Sequence, residues 1–252
     1  MLQAPLLLSV GNVVHGFSTR EGGVSVGAYS SLNLGQHVGD QRPAVVENRA
    51  RLLAGLGCVA QRWVSLSQVH GADVVEVTRN ASRSIEADGL WTRDPEVAIA
   101  ILVADCVPVV MTDAAGSFVA AVHAGWRGTA ARIVEAMVRR LEKDGTKADQ
   151  LRVALGPAIG PCCYKVGADV ATALQQAVPT ATQVVSTNGA GDTVADLWAT
   201  NRAILEAVGV PPTQIHAFRL CTSCSTGFFS HRRDKGLTGR QAGVIALAPR
   251  RR

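Results

Sequence analysis

The segment ADCVPVVMTDAAGSFVAAVHAGWRG, which begins at Ala104, predicts a β-hairpin. Cys106 directly precedes the first strand of this hairpin, and His123 is the last residue of the second strand. The letters VPVVMT and SFVAAVH are typical of two strands. The letters DAAG between them have Asp and Gly at the first and fourth places, which favours a type I turn. If Asp113–Gly116 is that turn, the pairing register predicts that Cys106 lies directly opposite His123.

Two kinds of chemistry are open to such a pair. Directly opposed residues have Cβ atoms roughly 4.5–5.5 Å apart on one face of the sheet, so one zinc ion could take both the thiolate and the imidazole. The same separation would let His123 accept a proton from Cys106, as in a thiol nucleophile. Pro108 lacks a backbone N–H group, which argues against a regular hydrogen-bond ladder in the strand after Cys106. If Cys106 has no chemical role, it would be a small buried side chain of the hydrophobic core. The residues alone leave metal and nucleophile open.

His70 ends a third apolar run, WVSLSQVH, and is followed by Gly71. Together with Cys106 and His123 it would complete a set of one thiolate and two imidazoles with an open fourth position. A catalytic zinc site needs that number of protein ligands, because water or substrate takes the fourth place.

Three arginines are candidates for anion binding. Arg20 lies in the glycine-rich stretch STREGGVS, Arg127 directly precedes a predicted helix, and Arg240 ends the basic stretch HRRDKGLTGR. Backbone N–H groups and guanidinium groups in such loops can hold a phosphate or a carboxylate. The sequence has no GxGxxG and no Walker-type loop, so nucleotide binding by those modes is not supported.

Four further cysteines are expected to pack in loops without a chemical role. Cys221 and Cys224 have the spacing of half a structural zinc site, and Cys162 and Cys163 are the only candidates for the other half. Because adjacent side chains are expected to point in different directions, a four-cysteine zinc site is not predicted.

The order of the elements favours an α+β fold with mixed sheets. Helices are predicted at 43–56, 129–143, 168–177 and 194–208. Strands are predicted at 6–10, 62–69, 73–78, 97–104, 107–112, 117–123, 151–155, 214–220 and 243–248.

Composition narrows the function classes. The chain has 252 residues, 47% hydrophobic and 18% charged, which indicates one globular domain over 1–252 with a short basic tail at 250–252. No apolar stretch is long enough for a membrane span and the start is a poor signal peptide, so we expect a cytoplasmic protein with reduced cysteines. The tail carries three of the five net positive charges and aromatic residues make up only 4%, so nucleic-acid binding is not expected.

The chain resembles the YfiH/YlmD-type family of laccase-domain, or multicopper polyphenol oxidase-like, proteins, which is now associated with purine nucleoside phosphorylase activity. The resemblance rests on motifs that occur in family order across nearly the whole chain. They are STREGGVS, SLNLGQHVGD, SQVHGADV, ADGLWT, VADCVPV, VHAGWRGTA, LGPAIGPCCYKVG and FFSHRRDKGLTGRQAG.

The resemblance implies a single α+β domain of layered mixed β-sheets flanked by helices, similar to a cysteine-hydrolase fold. It implies zinc on His70, Cys106 and His123, and phosphorolysis of adenosine, inosine and methylthioadenosine with adenosine deamination as a second activity. The expected partners are therefore a nucleoside and phosphate, and we expect a monomer or a weak homodimer.

Specific residues are assigned on this basis. Asp105 is the candidate for proton transfer, and Arg20, Arg127 and Arg240 are the candidates for holding phosphate. The older laccase label implies copper, but six histidines in the whole chain are too few for several coppers.

Other function classes stay open at this point. Cys106 and His123 could act as a metal-free thiol hydrolase on an amide or a cell-wall precursor. A non-enzymatic metal-binding or partner-binding module is the third alternative.

Overall fold

Two β-sheets pack face to face and helices cover their outer sides. The structure, a computed structural model, describes residues 1–58, 62–82, 85–181 and 183–248. Within these ranges the α-helices are α1 (Pro5–Leu8), α2 (Arg42–Gly55), α3 (Trp126–Ala130), α4 (Ile133–Lys143), α5 (Ala168–Ala177) and α6 (Leu197–Ala207).

The strands form three sheets. They are β1 (Val13–Phe17), β2 (Arg62–Ser65), β3 (Val74–Glu76), β4 (Gly89–Thr92), β5 (Val97–Val103), β6 (Val107–Asp113), β7 (Val119–Ala124), β8 (Leu151–Leu155), β9 (Val185–Thr187), β10 (Thr193–Ala195), β11 (Ile215–Ala217) and β12 (Gln241–Leu247). The larger sheet has the order β11-β8-β6-β7-β4-β3, the smaller has the order β1-β12-β5-β2, and β9 pairs with β10. Both large sheets mix parallel and antiparallel neighbours.

Strand β5 shows why the sheets stack in layers. Its odd-numbered residues, such as Ile99 and Ile101, pack against the larger sheet, whereas Ala98 and Ala100 pack toward α2. Successive side chains of a strand point to opposite faces, so a strand that is apolar at every position must be covered on both sides. Helices α4 and α6 cover the outer face of the larger sheet in the same way. The prediction of layered mixed sheets flanked by helices is confirmed.

Several predicted elements are wrong. The predicted strand at 6–10 is replaced by α1, because Pro5 occupies the first turn of a helix, where a proline is well tolerated. Strands β1, β4, β9 and β10 were not predicted, and the short β11 replaces the longer strand expected at 214–220. None of the described helices is long and apolar enough to cross a membrane.

The helix predicted at 129–143 is two helices. Arg132 has a positive φ of 58° and separates α3 from α4. Helix α3 begins at Trp126, so Arg127 lies inside its first turn rather than before it. The helices predicted at 43–56, 168–177 and 194–208 are found as α2, α5 and α6 with small shifts in their ends. The predicted basic tail at 250–252 lies outside the described residues.

Candidate active site

His70, Cys106 and His123 lie close together, next to the connections that run from the smaller sheet to the larger sheet. Cys106 lies in the three-residue connection from β5 to β6, and His70 lies in the connection from β2 to β3. His123 lies near the end of β7. One potential ligand atom from each residue lies within 4.8 Å of the others. The structure therefore brings together all three residues that the sequence selected.

The predicted hairpin register is wrong by two residues. His123 lies opposite Pro108, not Cys106, and the turn hydrogen bond from Gly116 N–H to Asp113 O is present at 3.2 Å. Ser117 and Phe118, which were predicted to begin the second strand, belong to the loop before β7, and the longer loop shifts the pairing. A shift of two positions keeps each side chain on its face, whereas a shift of one would separate them.

Pro108 fits its pairing with β7 without the loss of a hydrogen bond. The N–H group of His123 donates to Asp88 O at 2.7 Å, on the side of β7 away from β6. Because the N–H and C=O groups of one strand residue point to the same side, the Pro108–His123 pair exchanges no backbone hydrogen bond. The missing donor of Pro108 therefore leaves no gap in the β6–β7 ladder.

Asp88 orients the site and was not predicted from the sequence. Its carboxylate is fully buried and accepts a hydrogen bond from Nδ1 of His123 at 2.7 Å. It also accepts from the backbone N–H groups of Val69, His70 and Gly71, at 3.2, 3.0 and 2.7 Å. These bonds direct Nε2 of His123 toward the cluster and hold the loop that carries His70. The only sequence signal was an acidic residue at the start of the buried run DGLWT.

The backbone around the cluster is tightly constrained. His70 and Asp105 have positive φ values of 62° and 93°, which residues other than glycine adopt only when the surroundings hold them there. A Cβ atom added to Gly125 would lie 3.0 Å from Cys106 Sγ and 3.1 Å from His70 Cδ2. The glycine therefore leaves room between the thiol and the imidazole.

Cys106 and His123 shift each other's ionisation. Burial disfavours the thiolate, but the positive charge and hydrogen bond of His123 outweigh it and lower the pKa of Cys106 to about 6. Burial also disfavours the imidazolium, but the Cys106 thiolate and the Asp88 carboxylate raise the pKa of His123 to about 9. Without a metal, the two groups form a thiolate–imidazolium pair at neutral pH.

The donor set fits a zinc ion. A thiolate and two imidazoles are the ligand types that zinc prefers, and all three side chains face one cavity. His123 carries the hydrogen-bonded carboxylate partner that metal-bound histidines commonly have. These residues could hold one metal ion with a coordination position left open toward the cavity.

The cavity beside the cluster is strongly cationic. Its volume is about 960 Å³. Asp105 is the only carboxylate among the described residues that line it. The arginines that line it are Arg42, Arg49, Arg62, Arg127, Arg232 and Arg240. Such a cavity favours an anionic ligand.

The structure brings two of the three predicted anion-binding arginines to this cavity. Arg127 stacks over Trp126 at 4.4 Å, and no described residue accepts a hydrogen bond from its guanidinium. Arg240 lines the cavity while its guanidinium donates to two backbone carbonyls of its own loop. Arg20 is not among the lining residues: its guanidinium lies over the ring of Phe229, 4.6 Å from the ring centre, and donates to Ser30 O at 2.7 Å.

Asp105 lies beside Cys106 and joins two loops. Its carboxylate accepts from Thr222 Oγ1 at 2.6 Å and from the backbone N–H group of Arg232 at 2.7 Å. Its carbonyl oxygen accepts from Ile159 N–H at 2.8 Å. Asp105 therefore positions one wall of the cavity, and its predicted part in proton transfer stays a prediction.

Comparison with known proteins decides the family. A family model described as multi-copper polyphenol oxidoreductase laccase matches residues 14–248. The chain is 41% identical over 244 residues to a protein named purine nucleoside phosphorylase YlmD from Geobacillus stearothermophilus, with 92% of this chain and 89% of that protein covered. The chain belongs to the YfiH/YlmD-type family.

Further members agree in sequence and in structure. YfiH from Escherichia coli, also named a purine nucleoside phosphorylase, is 41% identical over 231 residues, which are 91% of this chain and 92% of YfiH. The crystal structure of Geobacillus stearothermophilus YlmD superimposes with a TM-score of 0.90 at 39% identity, covering 98% of this chain and 94% of YlmD. Neisseria meningitidis protein NMB0706 gives a TM-score of 0.84 at 37% identity, covering 95% and 96%. This YfiH/YlmD-type chain thus shares its fold with these proteins along nearly its whole length.

The thiolate–imidazolium pair predicts a pH profile for alkylation. In metal-depleted protein, we expect carboxamidomethylation of Cys106 by iodoacetamide to rise through a midpoint near pH 6, because the thiolate is the reactive form. Peptide mass spectrometry measures the modification of each cysteine separately, with Cys58 as the internal control. Asp88→Asn should move the midpoint of Cys106 upward, because the imidazolium loses a charged partner. A wild-type midpoint near the ordinary thiol pKa of 9.0 would contradict the pairing.

Proposed function

We propose that this protein is a zinc-dependent purine nucleoside phosphorylase that acts on adenosine, inosine and methylthioadenosine. The observation that carries the proposal is the position of the His70–Cys106–His123 cluster on a cavity that, among the described residues, is lined by several arginines and a single carboxylate. Phosphate is an anion with several oxygen acceptors, and guanidinium groups bind it through paired N–H donors. The names of the relatives support the same reaction.

In this reaction an oxygen of phosphate forms a bond to C1′ of the ribose while the bond from C1′ to the purine nitrogen breaks. The electron pair of the broken bond leaves with the purine, which is then protonated, and ribose 1-phosphate remains. We assign the phosphate to Arg127 and Arg240, because both line the cavity and Arg127 has its guanidinium free of hydrogen bonds to the described residues. Fixed positive charges stabilise the attacking phosphate without reorganisation.

Aromatic residues on the cavity wall suit a purine nucleoside. Trp126 and Tyr164 both line the cavity, and flat rings of this kind stack on bases. Burial raises the pKa of Tyr164 to about 12, so its phenol keeps its proton at neutral pH and can donate a hydrogen bond. We assign the purine to this side of the cavity.

His70, Cys106 and His123 would hold the zinc ion. A bound zinc ion supplies Lewis acidity and lowers the pKa of a coordinated water to about 7. Asp88 keeps the proton of His123 on Nδ1 and leaves Nε2 free to act as a ligand. Gly125 keeps the space between the donors open.

We assign adenosine deamination, as a second activity, to the same cavity. Zinc deaminases combine their metal with a carboxylate that moves protons to the leaving amine. Asp105 is the only carboxylate among the described lining residues and lies next to Cys106 in sequence. We therefore assign proton transfer in deamination to Asp105.

A thiol hydrolase is the second candidate, favoured by one specific observation. Cys106, His123 and Asp88 form a chain in which a carboxylate orients an imidazole that in turn lowers the pKa of a thiol. The same arrangement activates cysteine nucleophiles in metal-free enzymes. Such an enzyme would act on an amide or a cell-wall precursor and would not need phosphate.

Dependence on phosphate and on zinc distinguishes the phosphorylase from the thiol hydrolase. Wild-type protein should release hypoxanthine from inosine only when phosphate is present, and ribose 1-phosphate should appear in equal amount. Cys106→Ala should lose this activity and the zinc bound at the cluster, measured by elemental mass spectrometry of protein purified without added metal. Cys58→Ala is the matched control and should keep both. Full phosphorolysis after exhaustive chelation would rule out the zinc enzyme.

Arg127 offers a test of phosphate binding. Arg127→Ala should raise KM for phosphate roughly ten- to hundredfold, because a hydrogen bond to a charged group contributes about 1.5–3 kcal/mol. KM for the nucleoside should change far less. Arg139→Ala, in an exposed ion pair on α4, is the control and should leave both constants unchanged. An equal rise of both KM values would place Arg127 away from the phosphate.

Asp105→Asn tests the assignment of deamination. An amide can still accept from Arg232 N–H and donate to Thr222, so the two loops should stay joined. We expect release of ammonia from adenosine to fall at least a hundredfold, since general acid–base groups contribute roughly 10²–10⁴-fold. Phosphorolysis of inosine should fall much less. Unchanged ammonia release would remove Asp105 from the reaction.

A further inference from the structure

Four cysteines meet at a second place, contrary to the expectation from the sequence. Their sulfur atoms all lie within 4.8 Å of one another. Cys224 Sγ lies 3.3 Å from Cys162 Sγ and 3.3 Å from Cys163 Sγ. The fourth member is Cys221, and we call the four residues the cysteine cluster.

A tight turn explains how two adjacent cysteines reach one point. The N–H groups of Cys163 and Tyr164 both donate to Gly160 O at 2.9 Å, which winds the chain into a single helical turn. The second pair comes from a separate loop that follows β11, the parallel neighbour of β8. An isolated bridge between Ala158 and Cys221 joins the two loops.

The distances suit one tetrahedral ion. Four sulfurs at about 2.3 Å from a zinc ion are about 3.8 Å apart along each edge of the tetrahedron. The observed separations, from 3.3 Å to at most 4.8 Å, bracket that value. A disulfide would need about 2.05 Å, and all four thiols are free.

Packing does not explain the cysteine cluster. Free cysteines without chemistry are usually buried as small apolar side chains. Cys162 and Cys224, however, are exposed. Exposed thiols gathered at contact distance gain little from burial, so a shared ligand is the better physical explanation.

Two hydrogen bonds to Cys221 Sγ favour the thiolate form of this cysteine. Gly160 N–H and Cys224 N–H both donate to Cys221 Sγ, at 3.2 and 3.5 Å. Donors of this kind stabilise thiolates that bind metal ions. The guanidinium of Arg233 lies close by and donates to Thr222 O at 2.9 Å, which places a positive charge beside the loop.

We propose that Cys162, Cys163, Cys221 and Cys224 bind one structural zinc ion. Four thiolates complete a tetrahedron and leave no open position, which is the arrangement of structural rather than catalytic zinc. Tetrahedral sulfur ligation selects zinc or iron, and zinc, which has no redox chemistry, suits a closed site with a purely structural role. This ion is separate from the one at His70, Cys106 and His123.

The ion would hold one wall of the catalytic cavity. The loop of Cys162 also carries Ile159 and Tyr164, which line the cavity. Thr222, in the loop of Cys221, donates to the Asp105 carboxylate. Cross-linking these two loops through zinc would fix the position of Asp105 and Tyr164 relative to Cys106.

The test measures the zinc content of a variant that lacks the His70–Cys106–His123 site. Cys106→Ala protein, purified without added metal, should retain one zinc per chain by elemental mass spectrometry. X-ray absorption at the zinc edge should show four sulfur neighbours at about 2.3 Å. Adding Cys162→Ser and Cys224→Ser should reduce zinc to zero. Both positions are exposed, so the fold should survive, and circular dichroism checks this.

Two controls keep the result interpretable. Cys58→Ser in the Cys106→Ala background should keep its zinc, which excludes an effect of losing any cysteine. Cys224→His replaces one ligand by another and should keep one zinc with three sulfur neighbours and one nitrogen neighbour. Less than a tenth of a zinc per chain in Cys106→Ala, iron in its place, or zinc that persists in the double-serine variant would overturn the proposal.

Discussion

A carboxylate buried as completely as that of Asp88 is stable only if every oxygen is hydrogen-bonded, and the candidate active site is built from the groups that satisfy it. Three backbone N–H groups from 69–71 and the imidazole of His123 converge on it. These bonds hold His70 in its positive-φ conformation and fix the direction of His123. Two of the three potential ligands are therefore positioned by one side chain that does not itself reach the cluster.

The same three side chains support different reactions, and the charge around them separates these reactions. The hydrolytic step of a thiol hydrolase needs the Cys106–His123 pair but not the arginines that line the cavity. A laccase needs several coppers, whereas the described residues gather only two groups of three or more such ligands, one of them all cysteine. The proposed zinc-dependent phosphorolysis would use both the His70–Cys106–His123 cluster and the arginines. The proposed function is the one that leaves fewest features of the cavity unexplained.

The meeting of His70, Cys106 and His123 was predictable from the sequence in part. His70, Cys106 and His123 each lie next to an apolar run, which indicated positions at strand ends, and the resemblance to the family implied that all three belong to one site. The register was not predictable, because Gly116 with its φ of 61° extends the turn into a longer loop. The two residues still share a face, since the error was an even number of positions. Asp88 was missed because its partners come from a loop distant in sequence.

The cysteine cluster shows a different limit of sequence reasoning. Adjacent side chains diverge in extended backbone. Cys162 and Cys163 instead lie in a turn where two N–H groups donate to Gly160 O, and nothing in the sequence predicted that turn.

The two loops that carry the cysteines also contact the candidate active site. Asp105, itself next to Cys106, accepts a hydrogen bond from Thr222 inside the second cysteine loop and another from Ile159 before the first. Any displacement of the cysteine loops would therefore reach Asp105 through these two bonds. The wall of the cavity is therefore only as rigid as these loops. Both loops are short and partly exposed, so packing alone constrains them weakly. A metal ion bound between them would add the missing constraint.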